Sequence, residues 1–281
     1  DLAFDDSGGD SLMDTPAGIF ARLAAQTVAD ELALAALLAL LKHPLLRLGQ
    51  AQGALAKTVG DLELAVMRGP RPAAGSTGLA QDFARFRDEL GRLQRKEPSA
   101  IHYSEPRAQL DDAALDGVHT LIANLATTLK PLEDLRPGKP HDLMEFAERH
   151  YDVLKTLTTD DRGAALAFEE ADGGTLSKAF DDLFQAGGVS PENDKPSPSG
   201  LSLTIADYPD VFQTAFGDRI VRRPQSAASL RIYGLLEARL TECDRVILGG
   251  LVEGVWPPAP RVDPWLSRPM RHQLGLDLPE R

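Results

Sequence analysis

The sequence is poor in cysteine, since its 281 residues include only one, Cys243. A single thiol excludes an internal disulfide framework and any zinc site built on several cysteines. A reducing compartment, the cytoplasm, is therefore the expected location. Because Cys243 directly precedes an apolar run, we expect its side chain to pack rather than to react.

Long apolar runs are scarce as well. The longest, LALAALLALL at 32–41, is about half the length that a membrane span needs and is flanked by Glu31 and Lys42. It indicates a buried helix. The sequence also has no basic segment followed by an apolar stretch, so it shows no secretion signal. The chain begins at Asp1 and runs to Arg281 without a termination signal, so we expect a piece of a longer protein.

Familiar catalytic motifs are missing. GGTLSKA at 173–179 contains a lysine but not the spacing of a phosphate-binding loop, and neither G-x-S-x-G nor H-E-x-x-H occurs. The segment 141–152 places one histidine and three acidic residues on one helical face, which we interpret as a solvated charged face. We expect His43 to pack or to cap a helix. The sequence thus predicts no complete catalytic site, no metal and no cofactor of its own.

Acidic residues outnumber basic ones over most of the chain. Residues 201–281 contain ten arginines, no lysine and ten acidic residues, so the whole net charge of −12 belongs to residues 1–200. An acidic surface repels the phosphate backbone. If the protein meets DNA, the arginine-bearing end is the expected place of contact.

Apolar periodicity predicts a mainly α fold with a small α/β portion. Helices are expected at two places between Pro16 and Leu41, and near 50–67, 78–95, 111–130, 141–159, 162–170, 174–186 and within 201–218. The polar stretch 187–200, GGVSPENDKPSPSG, predicts a linker.

Short strands are expected at 1–6, 226–234 and 243–250, with the last two in a buried, parallel sheet. This order places a helical block between two small α/β segments.

The segment 244–271 differs from the rest of the chain. An apolar run ends in Gly249 and Gly250 and enters a proline-rich loop with both tryptophans, Trp256 and Trp265. Glycines permit a positive φ or close backbone approach where a strand ends. Prolines stiffen the loop and lower the entropy lost when it is held in one shape.

Several motifs resemble the AddB subunit of the bacterial AddAB helicase–nuclease. They are GLLEAR at 234–239, DRVILGGLVEGVWP at 244–257, DPWLSRPMR at 263–271, and, near the start, DDSGGDSLMDTPAG at 5–18 and LLALLKHPLLRLG at 37–49. They occur in the order of that family. One position departs from its pattern, because Val252 stands where the family has asparagine.

The resemblance implies a fold and a function. AddB is similar to superfamily 1 helicases of the UvrD type, in which a helical insertion, 2B, interrupts the motor domain 2A. The resemblance therefore implies a short α/β opening segment of a 2A-like domain at 1–14 and a helical 2B-like insertion at 15–199. Residues 200–281 return to the 2A-like α/β core with a motif-V-like strand and the tryptophan- and arginine-bearing loop.

The implied role is double-strand break repair, in which the parent helps bind DNA during end resection for homologous recombination. The implied partners are an AddA-like helicase–nuclease subunit and DNA, without a membrane. ATP and magnesium belong to the parent complex, an ATP-dependent helicase and exonuclease. The piece itself is expected to be catalytically silent.

Eight residues are the candidate DNA-binding or motor-motif positions, namely Glu237, Arg239, Gly250, Glu253, Trp256, Trp265, Arg268 and Arg271. Tryptophans stack on bases in sites for single-stranded nucleic acid. Arginines, here also Arg261, contact phosphates, and glutamates can orient the arginines.

Two alternatives stay open. In the first alternative, both tryptophans fill a hydrophobic core and Glu253 forms a purely structural ion pair with Arg268. In the second alternative, the chain is a helical protein–protein interaction module with no nucleic-acid contact. The acidic character of residues 1–200 favours this alternative.

Overall fold

The structure is a computed structural model that describes residues 4–68, 72–135, 138–187, 198–222, 230–250, 252 and 266–276. Within these residues the fold is mainly helical, with ten α-helices, 59% helix and a few short two-stranded sheets. The predicted mainly α class with a small strand content is confirmed.

The first two helices begin and end where local chemistry requires. Helix α1, Pro16–Ala29, starts after Thr15, whose Oγ1 accepts a hydrogen bond from the backbone N–H of Gly18. Proline at the first helical position costs no hydrogen bond. Helix α2, Leu34–Leu41, ends at Lys42 because His43 precedes a proline, which disfavours the α conformation.

Six further helices complete the bundle, α3 Ala56–Leu62, α4 Gly75–Gln94, α5 Asp112–Glu133, α6 Leu143–Thr158, α7 Glu170–Gly187 and α8 Tyr208–Phe216. A π-helical turn, Glu63–Met67, extends α3, and 3₁₀ turns cover Leu12–Asp14, Pro106–Gln109 and Leu166–Phe168. Except near 162–170, each predicted helical segment contains a helix. Their positions agree with apolar periodicity as the main signal.

The helix predicted at 162–170 is wrong. The Asp160 carboxylate accepts hydrogen bonds from the backbone N–H groups of Arg162 and Ala164, both at 2.9 Å, and Gly163 has a φ of +88°. A short polar side chain that binds nearby backbone competes with helical hydrogen bonds. The chain therefore turns here, and only a 3₁₀ turn, Leu166–Phe168, forms before α7.

Helix α1 lies at the centre of the bundle, in contact with α2, α5, α6, α7 and α8. Its inner face of small and apolar side chains, including Phe20, Ala21 and Val28, is fully buried. Full burial of one large apolar side chain contributes roughly 1.5–3 kcal/mol. The bundle core therefore depends on close approach to α1.

The two ends of the helical block meet in a sheet. Strand β1, Phe4–Asp6, pairs in parallel with β6, Leu230–Ile232, so that Phe4 lies opposite Leu230. The backbone N–H of Ser7 adds a hydrogen bond of 3.0 Å to the carbonyl of Ile232. The predicted strands at 1–6 and 226–234 are confirmed for the described residues.

Two antiparallel pairs are shorter. Strand β2, Asp10–Ser11, pairs with β5, Ile220–Val221, and β3, His141–Asp142, pairs with β4, Ser202–Leu203. The Asp142 carboxylate accepts hydrogen bonds from the backbone N–H groups of Ser199 and Gly200, each at 3.0 Å. These bonds fix the chain at the described end of the predicted linker, of which 188–197 lie outside the described residues.

The buried sheet predicted from 226–234 and 243–250 is wrong in two respects. Residues 243–250 form no strand, and β6 pairs instead with β1. The apolar side chains are also exposed to solvent: the exposed fraction is 47% for Leu230 and Ile232 and 88% for Ile247. An apolar run becomes a strand only where an edge offers a hydrogen-bonding partner, and periodicity does not supply that information.

The described chain divides into two units, Asp1–Ile232 and Tyr233–Arg281. The first contains all of α1–α8 and the three strand pairs. Residues 200–222, assigned from the sequence to the returning 2A-like portion, contribute β4, α8 and β5 to this unit. The predicted domain boundaries at 14/15 and 199/200 stay predictions.

Candidate functional site

The predicted DNA-contact residues all belong to the unit Tyr233–Arg281. Its described part contains two short helices, α9 Leu235–Ala238 and α10 Arg268–Gln273. Five positions named from the sequence have backbone or side chains that the structure describes, namely Glu237, Arg239, Gly250, Arg268 and Arg271. Outside the described residues lie Glu253, Trp256, Arg261 and Trp265, and with them the proposed pair Glu253–Arg268.

Glu237 is engaged in the start of its own helix. It is the third residue of α9, and its carboxylate folds back over Gly234, the N-cap residue. A Cβ at position 234 would lie 2.5 Å from Oε2 of Glu237. A glutamate at this helical position that reaches back to the N-cap is a known way of starting a helix.

Arg239 is the C-cap residue of α9 and is exposed. Its guanidinium has no ion-pair partner in the part of the chain that the structure describes. An exposed arginine without a carboxylate partner is available to an external anion such as a phosphate.

Gly250 has a φ of +67°, and its carbonyl accepts a hydrogen bond of 2.8 Å from the backbone N–H of Val252. Residues with a Cβ rarely adopt this conformation. The prediction that a glycine here permits a positive φ is confirmed. Val252, which departs from the family pattern, is 59% exposed, so an apolar side chain faces solvent at this position.

Arg268 and Arg271 stand one helical turn apart on α10. The helix starts after Ser267, and the backbone N–H of Arg271 donates to the Ser267 carbonyl at 3.0 Å. Residues three apart share one face of a helix. The backbone of α10 therefore places the two positions on one side, as a common phosphate contact requires.

Cys243 is exposed, so the expectation that it packs is wrong. Its neighbours Val246, Ile247 and Leu248 are exposed as well. The apolar run that was expected to bury the thiol forms no strand, which explains the difference.

The charged face of α6 is only partly solvated, since Asp152 is exposed while His141, Glu145 and Glu148 are half-buried. Glu145 pairs with His141 at 3.1 Å and with Arg149 at 2.5 Å, while Phe146 and Leu154 form the fully buried side. Among the residues that the structure describes, no group of three or more histidine, cysteine or acidic side chains is placed to hold a metal ion.

A buried polar pair in the core was not foreseen. His150 is fully buried; its Nδ1 lies 2.9 Å from the Tyr208 hydroxyl and its Nε2 3.0 Å from the carbonyl of Ala21. Burial lowers the pKa of His150 to about 4, so the ring is neutral at neutral pH. Nε2–H then donates to Ala21, and Nδ1 accepts from Tyr208.

This arrangement leaves the histidine without a free proton-transfer position. The aromatic rings of Phe180, Tyr208 and Phe212 surround it within 5.9 Å of its ring centroid. We interpret the pair as a structural connection between α1, α6 and α8. The spacing of Tyr208, Phe212 and Phe216 at every fourth residue was the sequence signal for an aromatic cluster.

Comparisons with known proteins identify no family. No protein-family model matches the chain, and no curated protein matches it. Across the described residues, no helix has both the length and the apolar character needed to cross a membrane.

Proposed function

We propose that this chain is part of an AddB-like protein of DNA double-strand break repair. In this proposal, residues 1–14 and 200–281 belong to one 2A-like motor domain, and the helices between them, α1–α7, form a 2B-like insertion. The unit Tyr233–Arg281 helps to bind single-stranded DNA and the AddA-like partner subunit in the cytoplasm. ATP and magnesium would act in the parent complex.

The observation that carries the proposal is the parallel pairing of β1 with β6. Parallel neighbours need a long crossover connection. Here α1–α8 form that connection, which is the arrangement expected of a motor domain interrupted by a helical insertion. Arg239, without an ion-pair partner in the described chain, and the arginine positions of α10 add cationic groups suited to phosphate.

Fluorescence anisotropy with a labelled single-stranded oligonucleotide tests the DNA contact. We expect binding that weakens steeply between about 50 and 200 mM salt, because phosphate contacts release counterions. Arg268→Ala should weaken binding and reduce the salt dependence. Trp265→Ala should weaken it by about 1–3 kcal/mol if the indole stacks on a base.

Arg162→Ala is the matched control, because Arg162 is exposed and belongs to the helical unit. The same charge is removed there, and binding should not change. Equal losses in Arg162→Ala and Arg268→Ala would mean that only overall charge matters and would contradict the proposed site.

The second candidate function is a protein–protein interaction module. The observation that favours it is the exposure of Leu236, Leu240 and Ile247, at 74%, 88% and 88%. Large exposed apolar side chains are candidate contacts for a partner protein. Absence of DNA binding, together with association to an AddA-like subunit that Leu240→Asp abolishes, would favour this function.

A further inference from the structure

A cavity of about 440 Å³ lies where α2 ends and the chain turns toward α3. Its walls are mostly apolar and include the buried side chains of Leu41, Leu46, Leu55 and Val59. Small-molecule sites have roughly this size and combine apolar walls with a few polar groups. The polar groups of this cavity are Lys42, His43, Arg47, Gln52 and Glu63.

Arg47 is the unusual member, since it is only 8% exposed. Its Nη1 donates to the carbonyls of Pro44, at 2.5 Å, and Leu46, at 2.9 Å. In the described part of the chain it has no carboxylate partner, and its Nε and Nη2 have no hydrogen-bond acceptor. Buried charges in proteins are normally paired, because removal of an ion from water is costly.

His43 supplies a second donor to the same cavity. Burial lowers the pKa of His43, so the ring is neutral at neutral pH. Its Nδ1 accepts a hydrogen bond of 3.2 Å from the backbone N–H of Leu45, so the proton is on Nε2. Within the described residues this Nε2–H has no acceptor. The ring packs against Phe20, with centroids 5.0 Å apart, which fixes its plane.

The remaining charges at the cavity are already paired. Glu63 binds Lys42 at 2.7 Å through one carboxylate oxygen and Arg68 at 3.2 Å through the other. This carboxylate therefore does not satisfy Arg47.

A second cavity, of about 330 Å³, also borders Arg47 and is lined by Glu169, Glu170 and Asp172. Three carboxylates there disfavour an anion, and the first cavity has no comparable repulsion.

We propose that the cavity between α2 and α3 binds a small organic carboxylate whose apolar body has the size of an aromatic ring or a branched alkyl group. The carboxylate accepts hydrogen bonds from the guanidinium of Arg47 and from Nε2–H of His43, and the body contacts Leu46, Leu55 and Val59. This site lies in the helical unit and does not depend on the DNA-repair proposal. The apolar walls and the acidic character of residues 1–200 disfavour a phosphate polyanion.

Titration of the ¹⁵N-labelled full chain with phenylacetate tests the site. We expect saturable shifts of the Leu45, Leu46 and Arg47 amides. Phenylacetamide, which has the same shape but no charge, should bind about tenfold or more weakly, because hydrogen bonds to charged groups are the stronger ones. Inorganic phosphate should leave these amides unchanged.

Gly60→Leu provides a variant that fills the cavity without harming the fold. Gly60 belongs to α3 and lines the cavity, and a Cβ added there meets nothing within 4 Å. Gly174→Leu is the matched control, because Gly174 is also helical with open space around a Cβ but lines none of this cavity. Gly60→Leu should abolish phenylacetate binding, and Gly174→Leu should retain it.

Gln52→Glu adds a carboxylate at an exposed position of the cavity wall and should weaken phenylacetate binding severalfold. The proposal is overturned if phenylacetate does not bind, if phenylacetamide or phosphate binds equally well, or if binding survives Gly60→Leu.

Discussion

Asp5 of β1 lies opposite Arg231 of β6 in a parallel pair of strands, with the whole helical block between them in the chain. Each strand has only three residues, and the pair forms a two-stranded sheet. Such a sheet is marginally stable by itself. The pairing therefore depends on α1–α8, which bring the two segments together.

The helix N-cap at Thr15 should stabilise the helical unit measurably. Thr15→Ala removes the acceptor for Gly18 N–H and the hydrogen bond of 2.7 Å that Oγ1 donates to the Leu12 carbonyl. We expect a loss of about 1 kcal/mol in the free energy of unfolding, measured in urea. Thr15→Ser should restore most of it. Thr127→Ala, on the exposed face of α5, serves as a control and should change stability little.

Tyr208→Phe should destabilise the core although the two side chains have nearly the same shape. The change leaves Nδ1 of buried His150 without its donor. An unsatisfied buried acceptor costs about 1–3 kcal/mol. Urea unfolding of the variant at pH 7 measures this cost. A variant as stable as the parent protein would contradict the hydrogen bond.

His150 should make stability depend on pH. Its pKa is about 4 in the fold, against 6.5 as its ordinary value. The unfolded chain therefore binds more protons between these values, so stability falls as pH decreases from about 6.5 to 4. The full effect is about 3 kcal/mol.

His150→Gln removes the titrating group but keeps a hydrogen-bond donor and an acceptor at this position. The free energy of unfolding of this variant should therefore fall less from pH 7 to pH 5 than that of the parent protein. Equal pH slopes in both proteins would show that His150 is solvent-accessible in the fold.

Gly18 and Gly174 should respond in opposite ways to alanine. A Cβ at Gly18 would lie within van der Waals overlap of the Leu12 carbonyl, whereas a Cβ at Gly174 meets nothing within 4 Å. Gly18→Ala should therefore destabilise the protein by about 1–3 kcal/mol or more. Gly174→Ala should stabilise it by up to about 1 kcal/mol, since alanine favours helices. Thermal unfolding of both variants provides the comparison.

Helices were predictable because their signals are local. Thr15 and Pro16 mark the start of α1, and His43 before Pro44 marks the end of α2. Strand partners were not predictable in the same way. The segments 226–234 and 243–250 were both expected to form strands, but only β6, in the first segment, pairs with a partner, β1, far away in the chain.

The candidate site was predicted only in part. Gly250 adopts the positive φ that two consecutive glycines indicated. Glu237, expected to orient an arginine, lies against Gly234 in its own helix, because a glutamate at the third helical position can serve the helix start. The burial of Arg47 was not predictable, since burial of a charge depends on tertiary packing and leaves no periodic signal in the sequence.

Disulfide formation between paired positions of β1 and β6 tests the central claim most directly. In a Cys243→Ser background, Asp5→Cys with Arg231→Cys places two thiols at directly paired positions. Phe4→Cys with Ile232→Cys is two positions out of register and too far apart for an unstrained disulfide.

The proposal predicts that mild oxidation of the folded protein links the first pair and not the second, and that urea abolishes the difference. Linkage of the second pair as readily as the first, or of neither, would contradict a motor-like sheet formed by the two ends of the helical block.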